Sequence, residues 1–378
     1  MPFRKSAEQF WVIFDTSQYP PYYGDVHELL ATPAGMIMRY QYRDNLLTTE
    51  ACSLAGSNKH ARVLLAYIQQ DCPYTRTDQH SQPRDASAIR KVIPTRLGTM
   101  LNVIKDGANF YFDFMVQEYP LCSGAVIDQI FQPLMNADEA PPDKWVSTSK
   151  DWPSIEILAN GDPAENWQGI IDALGKAPIQ FASDAFWRIQ GPLTKSGRIV
   201  QPRIVKEKAN GRTRQLRTEF LMFENRTWKF QLVSSVARDV PPDRPNFTVQ
   251  VTSSDPNVLK IAGSGQCDVR HYDERSVEYS TEPMTPFRNR PVDVVLKTDP
   301  GGIWPMGPRL SIRHSVRKSH IVSIIGVLSG VAAVWLATIG GSELFKSDVL
   351  NGIRLVGSGL VLGAIAKYML TGKIEFGK

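Results

Sequence analysis

The densest group of chemistry-bearing side chains in the sequence is Cys267-Asp268-Val269-Arg270-His271-Tyr272-Asp273-Glu274-Arg275. A thiol, an imidazole and three carboxylates in so short a run are the ingredients of a metal site or of a nucleophile beside its base. The spacing argues against both. Cys267 and His271 stand four apart and would meet on one face of a helix, whereas the flanking residues are those of a polar strand entering a turn. The run reads as a solvated strand-to-loop segment.

No GxxxxGK[ST] phosphate loop, helix-opening GxGxxG, GxSxG elbow, HExxH or paired CxxC occurs in the chain. Their absence removes several large enzyme classes and leaves open a site assembled from distant residues. The expectation is a non-enzymatic protein with no catalytic residue, no metal and no cofactor.

A second constellation is basic. Arg198, Arg203, Lys206, Lys208, Arg212, Arg214 and Arg217 surround Asn210-Gly211, interrupted by Glu207 and Glu219. A two-residue turn at Asn210-Gly211 would place Glu207 opposite Arg214 and leave Lys208 and Arg212 near the tip. Arg203, Lys206, Lys208, Arg212 and Arg214 are thus candidate ligands for phosphates, whether of nucleic acid, of a nucleotide signal or of anionic lipid. A solvated charged hairpin is the plainer reading. Phe220, Phe223 and Trp228 follow the run and suit a core better than a base-stacking platform.

The third constellation is apolar. Residues 321–342 contain no Asp, Lys, Arg or Glu and span roughly 33 Å as a helix, enough to cross a hydrocarbon core of about 30 Å. Residues 349–370 form a second span that carries Arg354 and Lys367 near its ends, where long side chains reach the headgroups. Gly326 and Gly330 make a GxxxG in the first, Gly359 and Gly363 in the second, so the backbones can approach closely within the hairpin or between copies. Arg354 points to a protein interior, a water-filled path or simple snorkelling.

Arg309, Arg313, Arg317 and Lys318 crowd the approach to the first span, and Lys373 and Lys378 follow the second. The positive-inside rule then places both termini in the cytoplasm of a two-pass inner-membrane protein. No secretory signal is visible at the start, and the four scattered cysteines suit free thiols in a reducing compartment. The net charge of +5 is too modest to mark a nucleic-acid binder.

These features need a frame, and strand signals supply it. Phe110, Phe112, Phe114 and Val116 alternate with Tyr111, Asp113 and Met115, and Asp106-Gly107 predicts a tight turn before them. Similar runs at 10–14, 36–42, 62–68 and 97–104 give about five strands, with short helices near 25–30 and 46–54. Closure as a small barrel or curled sheet would hide their edges. Residues 126–135 and 164–174 read as helices separated by the breaker Ala140-Pro141-Pro142-Asp143. From about Phe186 onward, alternation at 228–232, 247–252 and 292–296 predicts a β-sandwich of immunoglobulin-like or related kind.

The expected architecture is therefore mainly β with some α. It comprises a barrel-like unit over 1–121, a helical connector over 122–182, a sandwich over 183–316 and a transmembrane hairpin at 321–342 and 349–370. The function that follows is a cytosolic sensing or interaction head controlling the hairpin. Its most concrete version is a membrane-disrupting effector of a bacterial antiviral defence system. The alternative is a passive anchor or scaffold for a partner enzyme or nucleoprotein complex. Expected partners are the lipid bilayer, proteins including further copies of the chain, and a nucleic acid or nucleotide signal.

Overall fold

A computed structural model describes residues 10–15, 24–56, 60–69, 91–122, 144–148, 159, 161–176, 183–209, 213–237, 247–270, 272–284, 289–298, 307–318, 320–345 and 349–371. The expected helix at 126–135, the breaker at 140–143, Asn210-Gly211, Arg212, His271, Pro300-Gly301-Gly302 and the tail lysines lie outside the described residues.

Six strands form the first unit: β1 (Trp11–Asp15), β2 (Ile37–Arg43), β3 (Ala61–Gln69), β4 (Lys91–Asp106), β5 (Asn109–Val116) and β6 (Val146–Thr148). They are ordered β2-β5-β4-β3-β1-β6, with β1 and β3 parallel. Both of these strands are buried on two faces, which is why Val12–Phe14 and Val63–Ile68 read as unbroken apolar runs. Strand β5 keeps its expected alternation, because Phe110, Phe112 and Phe114 enter the concave core with Val63, Leu65 and Val103.

The turn before β5 is shifted by one residue from the sequence expectation. Asp106 faces Asn109, so the two central residues are Gly107, at φ +62°, and Ala108. Only the first centre needs positive φ, and glycine supplies it. The sheet curls into a half-barrel. Its ends are drawn together where Leu47, just after β2, forms a parallel bridge to Val146 and Leu46 O accepts from Trp145 N at 2.7 Å. Strand β6 comes from the stretch expected to be a connector, yet it completes the first sheet.

Among the described residues, three α-helices accompany the sheets: α1 (Asp25–Ala31), α2 (Thr49–Ser53) and α3 (Pro163–Gly175). The α3 start is fixed by proline in its first turn and by Asp162, whose side chain accepts from Ala164 N and Glu165 N. Val26 and Leu30 of α1 and Trp167, Ile170 and Leu174 of α3 share one core with Tyr67 and Ile93 of the first unit and Phe186 of the second. These helices brace the two β units.

The second unit holds β7 (Ala185–Thr194), β8 (Pro202–Ala209), β9 (Thr213–Phe223), β10 (Thr227–Val236), β11 (Phe247–Ser253), β12 (Leu259–Ile261), β13 (Gln266–Val269), β14 (Asp273–Thr281), β15 (Asn289–Thr298) and β16 (Arg309–Arg317). A four-stranded sheet, β12-β14-β10-β7, faces a six-stranded one, β13-β11-β15-β16-β9-β8. Trp228, Phe230 and Leu232 from one and Val292, Val294 and Leu296 from the other fill the core between them. The β9–β16 pair is parallel, so the larger sheet is mixed.

Two long helices follow, α4 (His320–Phe345) and α5 (Val349–Thr371), packed as a hairpin. Both are long and apolar enough to cross a membrane, and only 17% of each apolar window is buried within the protein. A core helix of a soluble protein would be mostly covered.

Candidate functional site

A concavity lies between the two β units. It encloses about 490 Å³ and is walled by α1, β2, β9, β15 and β16. Helix α1 shapes its acidic side: Val26, His27, Leu29, Leu30 and Ala31 are buried, while Asp25 and Glu28, three apart on one face, line the cleft. Across it stand Arg39 and Arg313. Arg39 clasps the fully buried Asp113 through two bonds of 2.6 and 2.9 Å, and Arg313 Nε lies 3.2 Å from Asp293 Oδ1. A bond from Ile37 N to Thr218 Oγ1, 3.1 Å, ties the two units at the cleft wall.

Burial governs the electrostatics. It pushes the Asp25 carboxyl up to about 9, helped by the neighbouring charges of Asp15 and Glu28. It raises Glu28 to about 7, with Arg309 pulling the other way. The cleft therefore carries two carboxyl groups that hold protons well above the ordinary carboxylate range. Such an arrangement suits proton uptake or binding of a polar ligand.

His27, His314 and Cys122 are buried, and Cys267 is half-buried. Desolvation lowers both histidines to about 4. His27 Nε2 lies 2.7 Å from Ser183 O and its ring stacks on Phe186. Burial pushes the Cys122 thiol up to about 12 and also raises that of Cys267. Cys267 sits on β13 and Asp273 and Glu274 on β14, in different sheets. Cys267–Val269 and Asp273–Arg275 are both strand.

Of the basic run, Arg203, Lys206 and Lys208 lie on β8 and Arg214 and Arg217 on β9, and β8 is an edge of the larger sheet. The expected cross-strand pair is corrected by the register: three residues separate the strands, so Glu207 falls opposite Gln215, and Lys208 opposite Arg214. Arg203 is ion-paired with Glu219, its Nε 2.7 Å from Oε1, and Lys206 is exposed. Of the five candidate phosphate ligands, Arg203 is thus already neutralised, and Arg212 lies outside the described residues. Charged residues on an edge strand also block pairing with other chains.

The hairpin glycines face the neighbouring helix. A Cβ on Gly326 would lie 2.9 Å from Leu370 Cδ2, and one on Gly359 2.9 Å from Ala333 O. Gly330 and Gly363 sit looser, against Ala366 Cβ at 3.7 Å and Ala333 Cβ at 3.8 Å. Gly340, which no motif singled out, is as tight as Gly326, 2.9 Å from both Leu355 Cβ and Val356 N. The small faces are occupied within one hairpin. Arg354 is exposed on α5, away from that seam.

The four residues expected as a basic membrane boundary divide. Arg309 and Arg317 are the two ends of β16, roughly 26 Å apart at strand rise. Arg309 therefore stands at the far end, near Glu28, and Arg313 midway. Only Arg317 and Lys318 adjoin α4, and Lys318 is buried against Glu224. An extended strand carries Arg309 and Arg313 away from the start of α4.

Sequence reasoning missed the cleft. Asp25 and Glu28 read equally well as the acidic first turn of any helix, and the opposing wall comes from residues about 190 to 290 positions later. No protein-family model matches the chain. No curated protein matches it either. Among solved structures, the periplasmic chaperone SfaE is 12% identical over 26% of this chain and 53% of its own, with a TM-score of 0.21. The chain thus spans about half the length of that chaperone. The Vibrio cholerae VesB protease is 8% identical over 75% of this chain and 96% of its own, with a TM-score of 0.18. At such scores neither likeness carries an argument.

Proposed function

We propose that the chain is a membrane-anchored, non-enzymatic receiving head in which the state of the inter-unit cleft is passed to the α4–α5 hairpin. One observation carries the reading. Strand β16 lines the cleft at Leu310, Ser311 and Arg313, and the same strand ends at Arg317, with α4 beginning at His320. Only two residues of sequence separate the end of the strand from the start of the helix. A proton or ligand that shifts β16 against α1 therefore has a direct mechanical path to the first span.

The anchoring is supported by the apolar length of both helices and by the bulky residues they expose, Leu328, Val331, Val334 and Leu360 among them. The glycine faces pack inside the hairpin, which favours a compact two-helix unit over glycine-mediated assembly of many copies. A defence role or membrane breach would need such assembly from other surfaces. The cytosolic side for the head remains part of the proposal, resting on Arg317 and the lysines of the sequence.

The test is hydrogen exchange of the full chain in lipid nanodiscs. Moving from pH 6 to pH 8, or comparing Glu28→Gln with the parent at pH 8, should change exchange in the first turns of α4. A short Gly-Ser insertion after Lys318 should abolish that response while leaving the head's own response intact. Exchange in α4 that ignores the cleft in the uninterrupted chain would reduce the hairpin to a tether.

A further inference from the structure

At the opposite end of β16 from the cleft, where the head meets the hairpin, a second cavity of about 320 Å³ opens. Glu224, Arg226 and Lys318 line its head side, and Val322, Tyr368 and Met369 its helix side. The wall changes from ionic to apolar over one cavity, the gradient that a headgroup and its acyl chains present in the opposite sense. We propose that this cavity seats an anionic phospholipid of the bilayer, its phosphate on Arg226 and its acyl chains beside Val322 and Met369. The inference rests on reading α4 and α5 as membrane spans.

The charge balance favours an anion. Lys318 Nζ lies 3.3 Å from Glu224 Oε1, and Glu224 also accepts from Met284 N, so that pair cancels within the wall. Arg226 is exposed and has no carboxylate partner among the described residues. Its guanidinium stands 5.4 Å from the Phe223 ring, and Arg317 stands 5.3 Å from the same ring. Asn225, at φ +53°, forms the tight turn that carries Arg226 to this position between β9 and β10. A cavity-lining guanidinium steadied on an aromatic ring, as Arg226 is, is pre-ordered for phosphate. The exposed phenol of Tyr368 completes a lining of the kind found at the membrane–water boundary.

The volume falls within the range of small-molecule sites, about 300 to 1,000 Å³. A free phosphate would leave the Val322 and Met369 half uncovered. The source of the anion is therefore the lipid.

The experiment uses the full chain in a neutral detergent, titrated with phosphatidylglycerol, with phosphatidylcholine of the same acyl chains, and with glycerol 3-phosphate, while the melting temperature is followed. Phosphatidylglycerol should stabilise the parent and bind more tightly than the other two. Arg226→Ala should weaken that binding about fivefold, the factor expected of one cation at an anionic surface, and Arg226→Lys should retain most of it. Arg226 is exposed, so folding should survive; circular dichroism checks this. Equal binding by Arg226→Ala, no preference over phosphatidylcholine, or equal stabilisation by glycerol 3-phosphate would each overturn the site. Flotation of the chain with liposomes after carbonate washing separates the two failures. A chain that does not float removes the membrane reading and the lipid site together, whereas one that floats without Arg226 dependence removes the lipid site alone.

Discussion

Lys318 and Glu224 form a buried ion pair, 3.3 Å from Nζ to Oε1, at the seam where β16 ends and α4 is about to begin. The lysine side chain is 1% exposed and the carboxylate 10%. Lys318 also reaches Met284 O, and Glu224 accepts from Met284 N, so the pair holds the loop after β14 against the strand that leads to the hairpin. Removing one partner strands the other charge in a dry site, which costs about 3–5 kcal/mol. Thermal melts of the detergent-solubilised chain should therefore show a large loss for Lys318→Ala or Glu224→Ala. The double variant Lys318→Met/Glu224→Leu should recover most of it. A double variant no better than the singles would mean that the junction depends on the charges themselves.

A second pair tests the cleft wall. Asp113 is fully buried and accepts both arms of the Arg39 fork. Asp113→Ala leaves a cation without its counter-charge beside the cleft and should destabilise the head by about 3 kcal/mol. Asp113→Asn keeps one acceptor oxygen and should cost less. Equal unfolding midpoints in urea for both variants would show that the bidentate geometry contributes little.

Much of the frame was legible because it depends on local periodicity. The β5 alternation, the helix read at 164–174 and the two apolar helices are each written within a single stretch of chain. What was not legible depends on register and on distant pairing. The three-residue separation of β8 and β9 moved Glu207 off Arg214, and no local signal announces that β6 joins the first sheet. The burial of Lys318 was invisible for the same reason, since its partner lies 94 positions earlier. The cleft required two units to be brought together.

The glycines of the hairpin separate by their neighbours. Gly359→Ala brings a Cβ to 2.9 Å from backbone at Ala333, and Gly340→Ala to 2.9 Å from Val356 N, where neither contact can swing aside. Gly357 and Gly341 face open space, so alanine there meets nothing within 4 Å and gains helix propensity of about 1 kcal/mol. Melting in detergent should fall for the first two substitutions and hold or rise for the last two. Uniform tolerance at all four positions would contradict the packed seam.

The cleft carboxyls make a prediction about pH whose sign can be worked through. Glu28 rises to about 7 and Asp25 to about 9, chiefly by burial, whereas in the unfolded chain both titrate near the ordinary carboxylate value. Between those limits the folded state binds more protons than the unfolded one, so stability falls as pH rises. The contribution is whole below about pH 4 and is lost progressively through pH 7 for Glu28 and pH 9 for Asp25. The buried His27 and His314, lowered to about 4, act in the other direction and remove stability as pH falls from about 6.5 toward 4. Melting temperature should thus peak on the mildly acidic side of neutrality and decline on the alkaline side. Glu28→Gln removes one titrating group without changing shape, so it should flatten the decline, with its advantage over the parent larger at pH 8 than at pH 5. The same substitution fixes the cleft in its proton-bound state, so its stability profile and its effect on α4 must be read from one protein. If Glu28→Gln leaves the alkaline slope unchanged, the Glu28 carboxyl is solvated and is not a source of the pH response.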